Sequence, residues 1–242
     1  HDLINKITEQ TEAILKPIRS DILYKKKQIK IDRKPHIDGI INNLSKAPAL
    51  IISGNGGSGK TAIIKDFYEE NSESYPIYCF KATDFDNRRN VDAIFKEYGR
   101  FEASDFTTAF PDIATKIVVI DSAERLSEIA DKAIFNQFID ILHKNGWKIV
   151  FTTRRGFVTD LTTSLIDVYR IRFSSFDVPE LNNEELNSLS KTHSFKLPKD
   201  GRLNELLRNP FYLHEYLQFY DEGKGDLEYE SFKESLWKKQ IV

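Results

Sequence analysis

Leu50-Ile51-Ile52-Ser53-Gly54-Asn55-Gly56-Gly57-Ser58-Gly59-Lys60-Thr61-Ala62 is the stretch from which the rest of this chain is read. An apolar run runs into the spacing G-x-x-x-x-G-K-T, and an apolar-periodic helix follows it. Glycines at 54, 56, 57 and 59 admit backbone conformations closed to other residues, so successive N–H groups, those of Asn55 and Ser58 included, can turn toward one anion. The positive end of the following helix, with Ala62 in its first turn, adds to that field. Lys60 supplies a point charge that reaches outer phosphates, and the Thr61 hydroxyl is placed one residue on to ligate magnesium. This strand–loop–helix is a phosphate cradle, the Walker A arrangement, and it predicts ATP or ADP with Mg2+ as ligands.

Outward from the loop, short apolar runs alternate with helical patterns, as a mostly parallel sheet with helices on both faces requires. Five strands are predicted at 50–53, 75–80, 116–121, 147–152 and 168–173, each rich in Val, Ile or aromatics. Helices are predicted at 60–70, 91–98 and 127–144, the last with Ile134, Phe138, Ile141 and Leu142 at helical spacing. Strands are expected to cease beyond Phe176, where 183–191, 202–208 and 211–220 read as helices of a small all-α lid. Before the loop, Leu3, Ile7, Ile14, Leu15, Ile18 and Ile22 suggest two short amphipathic helices interrupted by Pro17. Lys25-Lys26-Lys27 reads as a solvated run. The expected divisions are an N-terminal helical segment over 1–30, a nucleotide-binding domain over 31–175, the lid over 176–228, and the start of a further module over 229–242.

A phosphate cradle needs a second acidic group to fix the metal, and such a group normally ends a buried strand beside the loop. Ile117-Val118-Val119-Ile120-Asp121 supplies it. Asp121 emerges at the carboxyl edge of the sheet, where open α/β sheets bind ligands; its plainer role would be to cap the next helix. Glu124 is the nearest carboxylate that can orient or deprotonate a water attacking the γ phosphate. Glu128 competes one turn further on, and a helix-start residue is the structural alternative for Glu124. In Thr152-Thr153-Arg154-Arg155, a strand beside the loop strand would aim Arg154 at the terminal phosphate, with Arg155 as its fallback.

Composition agrees with a soluble, cytoplasmic protein. The 242 residues are 40% hydrophobic and 30% charged, with a formal net charge of -2, so nothing calls for a polyanionic partner and there is no clear nucleic-acid signal. No apolar run approaches the roughly 20 residues that cross a bilayer. Cys79, the one cysteine, excludes an internal disulfide and reads as a small core residue. A start at His1 and the absence of methionine are what an excised fragment would show.

With these segments together, the chain resembles the STAND class of signalling ATPases, relatives of the NACHT and NB-ARC domains. Thr152-Thr153-Arg154 is similar to the element whose arginine contacts the γ phosphate there. Ile31-Asp32-Arg33-Lys34-Pro35 resembles the segment that borders the adenine, with Asp32 where a glycine is usual. Leu206-Leu207-Arg208-Asn209-Pro210-Phe211 looks like the lid motif whose proline packs on the nucleotide, with Asn209 near the place of a glycine. Pro210 opening a helix is the structural alternative. Fewer carboxylates follow Asp121 than in NACHT proteins, which implies slow or vestigial turnover. The resemblance implies an ADP/ATP switch with flanking effector and sensor domains, nucleotide-dependent self-association, and roles such as antiviral defence or transcriptional control. Other readings are an AAA+ ATPase acting on nucleic acid, with Arg202 or Arg208 facing the phosphates, a phosphotransferase, and a non-hydrolysing nucleotide-binding scaffold.

Overall fold

The computed structural model describes residues 2–219 and 226–241. His1, Tyr220 at the expected end of the lid helices, part of the 176–228 lid span and Val242 lie outside the described residues. The chain forms two compact units that are discontinuous in sequence, whereas the spans expected from sequence are contiguous. The first comprises His1–Ile18, Arg33–Gly54 and Lys60–Val178; the second comprises Arg19–Asp32, Asn55–Gly59 and Pro179–Val242.

The first unit contains, in chain order, α1 (Asp2–Leu15), and after the excursion of 19–32, α2 (Lys34–Leu44), β3 (Ala49–Gly54), α3 (Lys60–Asn71), β4 (Ile77–Lys81), α4 (Asp92–Phe95), α5 (Ala103–Thr107), β5 (Ile117–Asp121), α6 (Ala133–Lys144), β6 (Lys148–Arg154), α7 (Val158–Thr163) and β7 (Phe173–Val178). β1 (Asp21–Tyr24) and β2 (Lys27–Lys30) lie in the second unit. The sheet runs β4-β5-β6-β3-β7 with every pairing parallel. Parallel strands are buried on both faces, and here alternate residues go to separate cores. Ile51, Phe80, Ile120 and Phe151 pack with α1, α5 and α6, while Leu50, Ile52, Cys79, Val119 and Val150 pack with α2 and α3. Cys79 is a buried core thiol whose pKa burial pushes up.

The last strand corrects the expectation at 168–173. Residues Ser164–Val168 wind as a single π-helical turn with Val168 exposed, and the strand begins at Phe173 instead. Its residues 174–177 alternate between half-buried and exposed, as an edge strand allows, so the apolar-run signal that finds central strands misplaces it.

The second unit contains the hairpin of β1 and β2 with α8 (Asn183–His193), α9 (Gly201–Leu206), α10 (Pro210–Phe219) and α11 (Tyr229–Ile241). The second amphipathic helix expected before residue 28 is therefore a hairpin. Ile22 and Tyr24 are two residues apart on β1, Ile29 stands opposite Ile22 on β2, and all three are buried with Leu203, Leu213, Leu217 and Phe232. Lys25 (φ 46°) and Lys26 (φ 63°) make the two-residue turn in left-handed conformations usually given to Asn-Gly, which hid it from the sequence. Among the described residues no helix is long and apolar enough to cross a membrane.

Candidate functional site

The register brings the candidate residues of the first unit to one sheet edge. Gly54 at the end of β3 pairs with Arg154 on one side and Val178 on the other, and Ser53 pairs with Thr153 and Asp177. Asp121 ends β5, which is next to β6. Strand ends at the carboxyl edge of a parallel sheet are where such folds place their chemistry.

Asp121 is 7% exposed, and several hydroxyls surround its carboxylate. Thr61 Oγ1 donates to Oδ1 at 3.0 Å, Thr152 Oγ1 donates to the same oxygen at 2.7 Å, and Ser122 Oγ donates to Oδ2 at 3.2 Å. Thr152 Oγ1 also accepts the Ser122 N–H at 2.9 Å. Ser122 sits in the left-handed region (φ 58°), a conformation that costs a non-glycine residue energy and recurs at functional sites. The Thr152 hydroxyl thus ties the bend after β5 to the carboxylate that ends it. In the sequence Thr152 stands out only as part of a strand-end motif; the alternation Val150-x-Thr152 against Val119-x-Asp121 is the signal that points to this role.

Lys60 opens α3, and its ammonium donates to the Gly54 carbonyl at 3.1 Å. Burial lowers its pKa, Glu124 opposes that by attraction, Arg154 adds to it by repulsion, and Asp121 opposes it again. A desolvated ammonium among carboxylates at a strand edge is the arrangement that gains most from an anionic ligand. Ala62, by contrast, is buried in the core of α3, so only its backbone is available to a ligand.

Glu124 lies in a 3-10 segment, Ala123–Glu128, not on a regular helix. Its Oε1 is 3.2 Å from Arg154 Nε, and its Oε2 is buried without a hydrogen-bond partner. Glu128 is turned to Arg125 instead, at 3.0 Å. Arg154 is held at its Nε by Glu124 while its side chain remains 62% exposed. Arg155 donates to both oxygens of Asp177, at 2.9 Å and 3.1 Å from its Nε, and Ser53 Oγ donates to the same carboxylate at 2.9 Å. The Arg155 guanidinium, aided by Ser53, holds the Asp177 carboxyl below its ordinary range. Asp177 is a second residue that the sequence did not single out, because its strand was placed too early. Arg33 is buried and pairs with Asp66 of α3 at 3.4 Å.

The loop residues Asn55–Gly59 belong to the second unit. Only Gly57 (φ 79°) and Gly59 (φ 94°) take left-handed conformations; Gly54 and Gly56, expected to need them as well, do not. The Ser58 N–H bonds to the Asn55 carbonyl at 3.2 Å and closes the turn, while Ser58 Oγ is buried without a hydrogen-bond partner. Asn55 Nδ2 donates to Glu180 Oε1 at 2.9 Å, and Asn209 Nδ2 donates to the Gly56 carbonyl at 2.8 Å. Pro210 opens α10 as its first residue. Arg202 lies over the Tyr229 ring at 4.8 Å, and Arg208 donates to the Leu181 carbonyl at 2.7 Å and pairs with Glu205.

Hard oxygen donors fit magnesium, and Thr61 and Asp121 supply a hydroxyl and a carboxylate side by side. Among the described residues no cluster of three or more His, Cys, Asp or Glu offers an all-protein metal cage. A site with few protein ligands suits an ion that keeps waters and phosphate oxygens around it.

No protein-family model matches the chain, and no curated protein does. Solved structures do match its fold. The Walker-type ATPase PABY2304 of Pyrococcus abyssi shares 13% identity, over 93% of this chain and 76% of that one, with a TM-score of 0.64. AMPPCP-bound DnaA from Aquifex aeolicus shares 15% identity, over 90% and 69%, with a TM-score of 0.51. The replication initiator DnaA bound to AMPPCP and single-stranded DNA shares 15%, over 85% and 63%, with a TM-score of 0.52. The chain has the α/β fold of P-loop NTPases, a five-stranded parallel sheet in the order β4-β5-β6-β3-β7 followed by C-terminal helices.

Proposed function

We propose that this chain is a magnesium-dependent ATP- and ADP-binding module of a STAND-type signalling ATPase. The observation that carries the reading is the direct pairing of the Thr61 hydroxyl with the Asp121 carboxylate, on the helix that opens with the desolvated Lys60. Amides of 54–61 receive the phosphates, Lys60 neutralises their outer oxygens, and Thr61 with Asp121 hold the metal, which draws charge from the terminal phosphate. By the resemblance, the segment of Arg33 borders the base, and Pro210 packs on the nucleotide. Glu124 is the base for an attacking water, and Arg154 is the group that registers the γ phosphate. Glu124 Oε1 is occupied by Arg154, so a water meets the whole carboxylate only after Arg154 leaves it, which supports slow turnover.

The module then acts as a switch. The γ phosphate draws Arg154 from Glu124, and the ATP state is selected because it alone offers Arg154 that partner. Output through flanking domains, self-association in the ATP state, a cytoplasmic setting and a role such as antiviral defence belong to the same proposal. A second reading, an ATPase acting on nucleic acid, is favoured by the likeness to DnaA bound to AMPPCP and single-stranded DNA. Against it, Arg202 and Arg208 are engaged with Tyr229 and with Glu205 and Leu181.

Calorimetric titration of the chain with Mg-ATP and Mg-ADP tests the reading. Lys60→Ala is expected to weaken both by a hundredfold or more, about 2.7 kcal/mol. Affinity within a factor of three of wild type in Lys60→Ala refutes it. Steady turnover raised several-fold by single-stranded DNA would replace the switch with the second reading.

A further inference from the structure

One side chain of the second unit bonds directly to the backbone of the loop in that unit. Asn209, 4% exposed, immediately precedes α10. Its Nδ2 donates to the Gly56 carbonyl at 2.8 Å and lies 3.4 Å from Glu180 Oε1, and its Oδ1 accepts the Phe211 N–H at 3.1 Å. Glu180 Oε1 also accepts from Asn55 Nδ2 at 2.9 Å. These partners settle which end of the amide is which, since the reverse orientation would set its oxygen against a carbonyl and a carboxylate. Gly57 fits tightly against the same group: a Cβ there would stand 2.7 Å from Asn209 Oδ1 and 2.7 Å from Phe211 Cβ.

The consequence follows from peptide geometry. A trans peptide points its C=O and N–H in opposite directions, so a Gly56 carbonyl turned to Asn209 leaves the Gly57 N–H facing away from it. The direction of each amide decides whether an anion meets a donor or an acceptor. A Gly–Gly peptide is the softest in the loop, because glycine populates both halves of backbone space. It is the one most in need of an external hold.

We propose that Asn209 is a positioning residue for the phosphate-binding loop, selecting the orientation of the Gly56–Gly57 peptide in which the Gly57 N–H is offered to phosphate. The inference rests on the nucleotide reading above and adds a residue to it.

The test uses the whole chain, ADP with magnesium, and the variants Asn209→Ala, Asn209→Asp and Asn209→Asp with Glu180→Gln. Asn209→Asp keeps the shape and the acceptor for the Phe211 N–H but loses the donor to Gly56, so it probes the bond even where Asn209→Ala folds poorly. Both single variants are expected to weaken ADP about tenfold, the scale of one lost hydrogen bond. Glu180→Gln is expected not to restore Asn209→Asp, because the missing element is a donor and not relief from a neighbouring charge. The amide resonance of Gly57 is expected to move on adding ADP in wild type and to stay within its apo position in Asn209→Asp. Affinity within twofold of wild type in Asn209→Asp, recovery on Glu180→Gln, or an unchanged Gly57 response each overturns the proposal. Failure of the nucleotide reading looks different: wild type itself then takes up no ADP in the same titration.

Discussion

Asp121 and Glu124 are three residues apart and are held in opposite ways. Asp121 is buried at the end of a strand with paired neighbours on both sides, and hydroxyls from α3, from the following bend and from β6 orient both its oxygens. Glu124 stands two residues beyond a left-handed Ser122, on a 3-10 segment, with one oxygen on a mostly exposed arginine and the other without a hydrogen-bond partner. The ladder of the sheet places the first carboxylate before any ligand arrives. The second has one oxygen held by a largely exposed side chain. On the proposed function, metal binding is prearranged and hydrolysis is gated.

The contrast can be broken or sharpened by experiment. The largest effect is expected from Glu124→Gln, which lowers single-turnover hydrolysis by about 10²–10⁴ and leaves ATP affinity within threefold; a weakened affinity of the same size would mean that Glu124 belongs to the binding half. Asp121→Asn is expected to remove the magnesium-dependent part of nucleotide affinity, about a hundredfold or 2.7 kcal/mol, with little change when the metal is chelated. A magnesium effect that survives the substitution would erase the difference between the two carboxylates.

Thr152→Val removes a donor to Asp121 and the acceptor of a backbone N–H, an uncompensated loss of about 1–3 kcal/mol in urea unfolding together with a weaker magnesium response. Thr152→Ser, which keeps the hydroxyl, is expected to restore both. A double-mutant cycle between Glu124 and Arg154 is expected to give less than about 1 kcal/mol, because the arginine is largely exposed. Coupling well above that would make the pair a lock, not a loose gate.

The smallest effect is at the far side of the edge. Arg155 holds the Asp177 carboxyl below its ordinary range, so the pair contributes stability above the ordinary carboxylate pKa and loses it as pH falls through the depressed folded value. Arg155→Ala is therefore expected to cost a few tenths of a kcal/mol near neutral pH, with the gap to wild type closing in acid. A gap that widens in acid would reverse the sign of this assignment.

Where the chain made its structure plain, local pattern and tertiary use agreed. The apolar runs of β3 and β5 are legible because central parallel strands bury both faces, and Lys60, Thr61 and Asp121 are legible because their spacing to those runs is short. The hairpin was hidden because Ile22 falls at helical spacing from Ile14, Leu15 and Ile18 as well as at strand spacing from Tyr24. β7 was displaced because an edge strand carries Ser174, Ser175 and Asp177 where a central one would carry aliphatics.

Covalent neighbours alone were enough to specify a glycine-rich turn ending in Lys60-Thr61, the strand that delivers Asp121, and the alternation that demands a layered α/β fold, since each depends on contacts a few residues long. Folding in three dimensions chose the partners: Thr152 for Asp121, Arg154 for Glu124, Asp177 for Arg155, and Asn209 for Gly56. Such pairs join segments between about 22 and 153 residues apart, and which of many similar hydroxyls, carboxylates and amides meet is decided by strand order, register and burial, which no local pattern encodes.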